Sequence, residues 1–358
     1  MRLLIAGGGT GGHLFPGVAL ADELRERSSG HEVLFVGTKQ GIEARVLPKL
    51  GWKLSTIQVS GLKTKGIKGK LLGLCRLPRA LWQSRRVLRE YRPDVVLGVG
   101  GYASGPVVLA AWLMGIPTGI LEQNSIPGFT NRVLGKLARA VFTSFDSCDT
   151  YFSAKRLNPV GNPIRPALLR GLTQKVEDEN GLLIVGGSQG AVAVNRLVVQ
   201  ALTILKANGA PLPRITHQTG KNGFQETGNA YSDAGIDAHV TPFIDDMAKA
   251  YREATVVVAR AGATTVAELT IVGRPAIFIP YPFAADNHQE ENARELVNSG
   301  AAQMFNQDTS SSEELATSLQ RLFVDAELRQ SMSAKMKTLG RPNAAENILN
   351  WCFAQVEK

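Results

Sequence analysis

The chain carries the same local pattern twice, half a sequence apart. Residues 2–12 read Arg-Leu-Leu-Ile-Ala-Gly-Gly-Gly-Thr-Gly-Gly, and residues 181–191 read Gly-Leu-Leu-Ile-Val-Gly-Gly-Ser-Gln-Gly-Ala. Each is an apolar run of strand length that ends in a glycine-rich loop and opens into a helical pattern, the start of a mononucleotide-binding βαβ unit. Two such starts in 358 residues, too long a chain for one ordinary core, predict two consecutive α/β domains, each a Rossmann-like doubly wound sheet. The runs Leu3–Ala6, Glu32–Val36, Asp94–Leu97 and Ala140–Thr143 alternate with helical patterns such as Pro16–Arg27, as parallel sheets covered on both faces require. Between the two starts, residues 158–166 hold three prolines and a glycine, a composition that disfavours helix and ladder alike. The linker is expected there, with a first domain over 1–160 and a second over 161–341. A last helix over 342–358, with Ile348, Leu349 and Phe353 on its apolar side, is expected to pack back on the first domain.

The loops suggest phosphate. Gly7, Gly9 and Gly12 satisfy the G-x-G-x-x-G spacing, which lets backbone amides approach a pyrophosphate at a helix start. Alone the spacing is weak, and a tight turn without a ligand is its bland alternative. A dinucleotide site also needs a carboxylate after the second strand to hold a ribose; Val36-Gly37-Thr38-Lys39-Gln40 offers none. A Walker A reading fails because His13 stands where a lysine is required. A second glycine loop, Gly98 to Pro106, contains Gly100, Gly101 and Tyr102; a third, at 186–190, contains the Ser188 hydroxyl. Further on, small residues from Arg260 to Glu268 read as a helix start whose amides face an anion. Glu268 then falls within two turns, where its carboxylate can take both hydroxyls of a ribose; macrodipole compensation is the alternative. Amide side chains near Asn287 and Gln289 suit sugar hydroxyls, although Asp286 reads equally well as a helix cap. One chain can thus hold two separate phosphorylated groups.

Charge narrows the partners. The net charge is +9, and residues 63–92 set ten Lys and Arg against one acid, Glu90. Ile67, Lys68, Lys70, Leu74, Arg79, Trp82, Arg85 and Arg86 form a basic, apolar stretch suited to an anionic membrane surface. The alternative is a solvated helix whose leucines face its own core. Nucleic acid is not expected, because no recognised binding motif is present and aromatic residues are 6% of the chain. No apolar run approaches the ~18–20 residues that span a bilayer; the longest is Val107 to Met114. The apolar start is too short for a signal peptide and reads as a buried strand. Cys75, Cys148 and Cys352 show neither metal nor disulfide spacing, which suggests buried thiols in a reducing compartment.

Several short motifs, taken in order, resemble the MurG family of bacterial UDP-GlcNAc transferases. They are Gly-Gly-Thr-Gly-Gly-His at 8–13, Val-Ser-Gly-Leu at 59–62, Gly-Gly-Tyr at 100–102 and Glu-Gln-Asn at 122–124. Gly-Asn-Pro-Ile-Arg at 161–165, Gly-Gly-Ser-Gln-Gly at 186–190 and Phe-Ile-Asp-Asp-Met at 243–247 continue the series. The resemblance covers nearly the whole chain. It implies a GT-B fold with an interdomain cleft, and inverting transfer of GlcNAc from UDP-GlcNAc to the C4 hydroxyl of MurNAc in lipid I. It implies no cofactor and work at the cytoplasmic face of the inner membrane, with an anionic membrane surface and cell-wall synthesis proteins as partners. Donor binding carries onto Thr10, Gly11, Gly12, Asn124, Arg165, Ser188, Ile244 (through its backbone, on uracil), Ala263, Thr264, Thr265, Val266, Ala267, Glu268 and Gln289. The acceptor pyrophosphate falls to Gly9, Gly100, Gly101 and Tyr102. Thr264 stands where leucine is usual, Ala267 where serine is, and His288 where some members have glutamine.

Inversion needs a base for the acceptor proton. His13, a histidine in a phosphate loop, is the candidate; orientation of a substrate phosphate is its alternative. Glu122 or Asn124 can help to position the acceptor. No metal-holding Asp-x-Asp is evident, since Asp245 and Asp246 are adjacent and Asp146 and Asp149 are three apart. The leaving pyrophosphate is therefore expected to rest on Ser188, the amides of 263–265 and a helix dipole. Rival readings are another GT-B enzyme such as a glycolipid glycosyltransferase or UDP-GlcNAc 2-epimerase, an NAD-dependent oxidoreductase, and a non-catalytic basic binder.

Overall fold

The computed structural model describes residues 1–59, 67–173, 180–187 and 190–357, with residues 67–76 described by their helical backbone alone. The chain divides into two units, Met1–Pro166 with Pro342–Lys358, and Ala167–Arg341.

In the first unit, β1 (Arg2–Gly7), α1 (Gly11–Arg27), β2 (Glu32–Gly37), α2 (Glu43–Lys49), β3 (Lys53–Thr56) and α3 (Ile67–Tyr91) come first. They are followed by β4 (Val95–Gly100), α4 (Ser104–Leu113), β5 (Thr118–Glu122), α5 (Phe129–Leu134), β6 (Ala140–Thr143) and β7 (Leu157–Pro159). The seven strands form one sheet in the order β3-β2-β1-β4-β5-β6-β7, and every pair is parallel. Helices on both faces explain why β4, β5 and β6 are buried from end to end instead of alternating. α1 begins five residues ahead of Pro16, the sequence-predicted start, so Pro16 lies inside the helix. There it has no N–H for the Gly12 carbonyl.

Pro159 ends an edge strand that pairs with β6. The proline-rich segment therefore does form ladder; on an edge a missing N–H costs little. The short helix α6 (Pro166–Leu172) then leads into the second unit.

That unit runs β8 (Gly181–Val185), α7 (Val192–Ala207), β9 (Arg214–Gln218), α8 (Phe224–Asp233), β10 (His239–Thr241), α9 (Met247–Glu253), β11 (Ala254–Ala259) and α10 (Ala263–Val272). It continues with β12 (Ala276–Phe278), α11 (His288–Asn298), β13 (Ala302–Met304), α12 (Ser312–Val324) and α13 (Ala326–Thr338). The strand order β10-β9-β8-β11-β12-β13 repeats the winding of the first sheet. Leu182, Ile184, Val256, Val258 and Ile277 of the strands pack with Val194, Val198 and Leu202 of α7 and Leu315 and Leu319 of α12. The final helix, α14 (Ala344–Val356), belongs to the first unit. Its Ala345, Ile348, Leu349 and Cys352 recur at helical spacing and enter that unit's core beside α1. Trp351 meets Phe142 edge-on at 5.4 Å.

A polar network lies inside the second unit. His217, fully buried on β9, has Nδ1 2.9 Å from the Tyr231 hydroxyl and Nε2 3.1 Å from Asn195 Oδ1. An amide oxygen only accepts, so Nε2 carries the proton and the Tyr231 hydroxyl donates to Nδ1. Burial pushes the His217 pKa from 6.5 down to about 3. Between those values the unfolded chain takes up a proton that the folded unit refuses, so stability falls as the pH drops below 6.5. At pH 5 the loss is about 2 kcal/mol. Urea unfolding at pH 7 and pH 5 should show it. A His217→Gln variant should lose that part of the pH dependence, and an unchanged dependence would exclude His217 as its source.

Candidate functional site

In each sheet the strand order reverses direction beside the first strand, between β1 and β4 and between β8 and β11. Loops leaving the carboxyl ends of such a pair diverge and open a crevice for ligands. The glycine loops occupy these places.

In the first unit the loops after β1 and β4 pack directly on each other. The Gly8 N–H donates to the Gly100 carbonyl at 3.3 Å. Gly101 has a φ of +78°, and a Cβ there would lie 2.2 Å from the Gly8 oxygen. At Gly100 a Cβ would lie 2.6 Å from Cδ2 of His13, so the missing side chain makes room for the imidazole. His13 Nδ1 is 3.1 Å from Thr10 Oγ1. α1 has no acid in its first turn and no side-chain cap, and its first internal bond runs from the Leu14 N–H to the Thr10 carbonyl. The amides of Gly11 and Gly12 precede that bond and remain at the helix start, where an anion is favoured. Tyr102 is half exposed at the rim. Arg165 is exposed on the face of α1, its guanidinium 5.8 Å from the Phe15 ring centre.

Two expectations for this unit need correction. The Gly9 amide does not face a ligand: it donates to Glu43 Oε2 at 2.7 Å. A carboxylate does follow the second strand, and it is Glu43, completely buried under the glycine loop. Its other oxygen accepts from the Thr38 N–H at 2.8 Å and from the Thr38 hydroxyl at 2.9 Å. Sealed in this way, it is not available to a ribose. The sequence signal was Gly37-Thr38-x-x-Gly41-x-Glu43, in which both glycines border the carboxylate.

Glu122 is likewise withdrawn from any acceptor, being 2% exposed. Its carboxylate accepts from the Asn124 N–H at 3.0 Å, the Gly128 N–H at 3.1 Å and Asn131 Nδ2 at 2.9 Å, and so shapes the loop after β5. Burial raises its pKa above the ordinary carboxylate value, against those hydrogen bonds. Asn124, half buried, stays at that loop's surface.

In the second unit α10 repeats the uncapped start. Gly262 caps it without a side chain, no acid lies in the first turn, and the first internal bond is Val266 N–H to the Gly262 carbonyl at 2.9 Å. The amides of Ala263, Thr264 and Thr265 lie ahead of it. Ala263 and Val266 anchor the helix in the core, while Thr265, Ala267 and Glu268 are half buried. The Thr264 hydroxyl is buried without a hydrogen-bond partner among the described residues. Glu268 Oε2 accepts from the Tyr251 hydroxyl at 2.8 Å. Tyr251 is fully buried on α9, and burial with the neighbouring Glu268 charge holds its pKa well above the usual phenol value. Sequence reasoning missed Tyr251, which lies 17 residues before its partner.

The Ile244 amide donates to Gln218 Oε1 at 3.0 Å, so of that residue's two backbone groups its carbonyl is the one left for a nucleobase. Gln218, 4% exposed at the end of β9, also accepts from the Gly186 N–H at 3.2 Å through its own carbonyl. It thereby ties the glycine loop to the segment before α9. Gln289 Oε1 accepts from the Tyr281 N–H at 2.9 Å. His288 Nδ1 lies 2.7 Å from the Ala285 carbonyl. Asp246 caps α9 by accepting from the Lys249 N–H at 2.9 Å. Ser188 lies outside the described residues.

α3 carries the basic stretch. The side chains of Ile67, Lys68, Lys70 and Leu74 lie outside the described residues. Ala80, Ser84 and Leu88, four apart, are the buried stripe, while Arg79, Arg85 and Arg86 are exposed and Trp82 is 63% exposed. α4 packs beside α3 and α5 beside α4. They add the exposed apolar side chains of Trp112, Leu113, Phe129 and Val133. Among the described residues no helix is long and apolar enough to cross a membrane.

Comparison with known proteins bears on both units. Residues 3–143 match the glycosyltransferase family 28 N-terminal domain, and residues 181–348 match the glycosyltransferase family 28 C-terminal domain. A protein of Syntrophus aciditrophicus (strain SB) is 48% identical over 358 residues, covering 99% of each chain. One of Myxococcus xanthus (strain DK1622) is 49% identical over 354 residues, covering 98% of this chain and 92% of its own. Both are named UDP-N-acetylglucosamine--N-acetylmuramyl-(pentapeptide) pyrophosphoryl-undecaprenol N-acetylglucosamine transferase. The crystal structure of Acinetobacter baumannii MurG is similar with a TM-score of 0.80 and 34% identity, over 99% of both chains. A UDP-GlcNAc 2-epimerase from Neisseria meningitidis bound to UDP-GlcNAc shares the fold, with a TM-score of 0.68 at 14% identity over 99% of this chain and 100% of its own.

Proposed function

The chain belongs to glycosyltransferase family 28, and from that membership we propose that it transfers GlcNAc from UDP-GlcNAc to the C4 hydroxyl of MurNAc in lipid I. The product is lipid II, for peptidoglycan synthesis. The observation that carries the reading is the 48% identity over 99% of both chains with a relative named for this transfer. The uncapped starts of α1 and α10, at the switch points of the two sheets, support it, because the reaction needs grips for two diphosphates.

The second unit takes the donor. Glu268 holds the ribose hydroxyls, the Ile244 carbonyl accepts from uracil N3–H, and Gln289 meets the sugar. The amides of Ala263, Thr264 and Thr265, with the α10 dipole, stabilise the pyrophosphate as the glycosidic bond breaks. Asn124, Arg165 and Ser188 are further donor-binding residues; Thr10, Gly11 and Gly12, expected from the resemblance to bind the donor, are assigned instead to the acceptor diphosphate, because they stand at the uncapped start of α1. The first unit takes the lipid pyrophosphate at the start of α1 and at Gly100, Gly101 and Tyr102. His13 accepts the proton of the C4 hydroxyl as the new bond forms on the opposite face of the sugar. For that role Nε2 must be unprotonated, which makes Nδ1–H the donor to Thr10 Oγ1.

The exposed face of α3, with Trp82, Arg79, Arg85 and Arg86, rests on the inner leaflet of the cytoplasmic membrane, each cation contributing about 1 kcal/mol. The test is transfer of labelled GlcNAc to lipid I in vesicles that contain anionic phospholipid. Labelled lipid II is the expected product. Trp82→Ser combined with Arg85→Ser should slow the reaction severalfold on vesicles and leave transfer to a water-soluble short-chain analogue unchanged. No lipid II, with UDP-ManNAc formed from UDP-GlcNAc alone, would replace this reading by the epimerase.

A further inference from the structure

Among the described residues, Glu43 is the one carboxylate built into the glycine loops of the first unit. Its hydrogen-bond partners among the described residues are the Gly9 N–H, the Thr38 N–H and the Thr38 hydroxyl at 2.7, 2.8 and 2.9 Å, none of them a cation. Three glycines close around it, Gly8 from the loop after β1 and Gly37 and Gly41 from the turn that leads into Glu43 itself. A Cβ on Gly8 would lie 2.5 Å from its carboxyl carbon, one on Gly37 2.5 Å from its Cγ, and one on Gly41 2.1 Å from its Oε2. Gly8 therefore has a reason to be glycine that involves no phosphate. The compartment admits this side chain and nothing larger.

The arrangement has a consequence for the anion grip. A loop of consecutive amides can close on an anion in several ways, and a carboxylate buried below it selects one. By taking the Gly9 N–H, Glu43 turns that amide away from the crevice and fixes the direction in which the chain enters α1, through Thr10. The amides left to face an anion are those from Gly11 onward, and the His13 ring is delivered beside Gly100.

We propose that Glu43 is a positioning residue for the acceptor pyrophosphate: it acts through Gly9 to set the start of α1 and touches no substrate. The proposal rests on the reading of the first unit as the acceptor half.

Glu43→Gln is the informative substitution. One amide oxygen can still accept from Thr38, but the NH₂ group then faces the Gly9 N–H, donor against donor. Gly8→Ala should act in the same direction, because its Cβ overlaps the carboxylate. Steady-state kinetics of the full-length variants, with UDP-GlcNAc and a short-chain lipid I analogue, should show the acceptor KM raised about tenfold, equivalent to about 1.4 kcal/mol. The donor KM should stay within about twofold, and the peptide containing Gly9 should exchange its amide hydrogens faster. A merely structural role predicts another result: less active enzyme with both KM values unchanged, which overturns the proposal. If instead the donor KM rises and the acceptor KM does not, the acceptor reading of the first unit fails and takes the proposal with it.

Discussion

Glu268→Ala is expected to lower kcat/KM for UDP-GlcNAc by about two to four orders of magnitude. The carboxylate is proposed to accept from two ribose hydroxyls, and hydrogen bonds to a charged group contribute about 1.5–3 kcal/mol each. Losing both removes about 3–6 kcal/mol, and each 1.36 kcal/mol is tenfold. The Tyr251 hydroxyl, 2.8 Å from Oε2, occupies one acceptor site and fixes the plane of the carboxylate. Tyr251→Phe should therefore cost less, about tenfold, and should act on donor KM rather than on kcat. Calorimetric titration with UDP separates binding from turnover. If Glu268→Ala binds UDP as tightly as the parent, the ribose assignment is wrong, and the residue only offsets the α10 dipole.

His13→Ala should reduce kcat by about 10²- to 10⁴-fold, the usual contribution of a positioned general base, while UDP-GlcNAc affinity stays unchanged. The ring is held by Thr10 Oγ1 at 3.1 Å from Nδ1 and by the space that Gly100 leaves. Thr10→Val keeps the shape of that side chain and removes the hydroxyl, so it should give a smaller fall in kcat. A variant whose acceptor KM rises while kcat is preserved would make His13 a phosphate-orienting residue. The same measurement thus decides between the two roles that the sequence left open.

The tertiary structure changed what several of these residues are taken to do. Glycine spacing alone could not distinguish amides that face a ligand from amides already engaged inside the protein. Gly9 has the same place in the motif either way, and its donor goes to Glu43, 34 residues further along the chain. Ile244 was assigned a backbone contact with a base, yet its N–H is taken by Gln218, 26 residues earlier. Glu122 lies in a recognisable Glu-Gln-Asn motif, but burial and three loop donors make it a scaffold for Asn124 and Gly128. The basic stretch was legible as charge; which of its residues face solvent was not, and α3 sets that by burying Ala80, Ser84 and Leu88.

By itself the sequence determined the class of fold, the repetition of its winding and the loops at which a ligand can be held. Those follow from local chemistry: apolar runs of strand length, glycines that permit positive φ, and helix starts without acids. Only the tertiary structure decided which donors and acceptors remain for a ligand. A hydrogen-bonding group engages one partner at a time, and whether that partner is a substrate or a residue thirty positions away depends on how the strands are laid side by side.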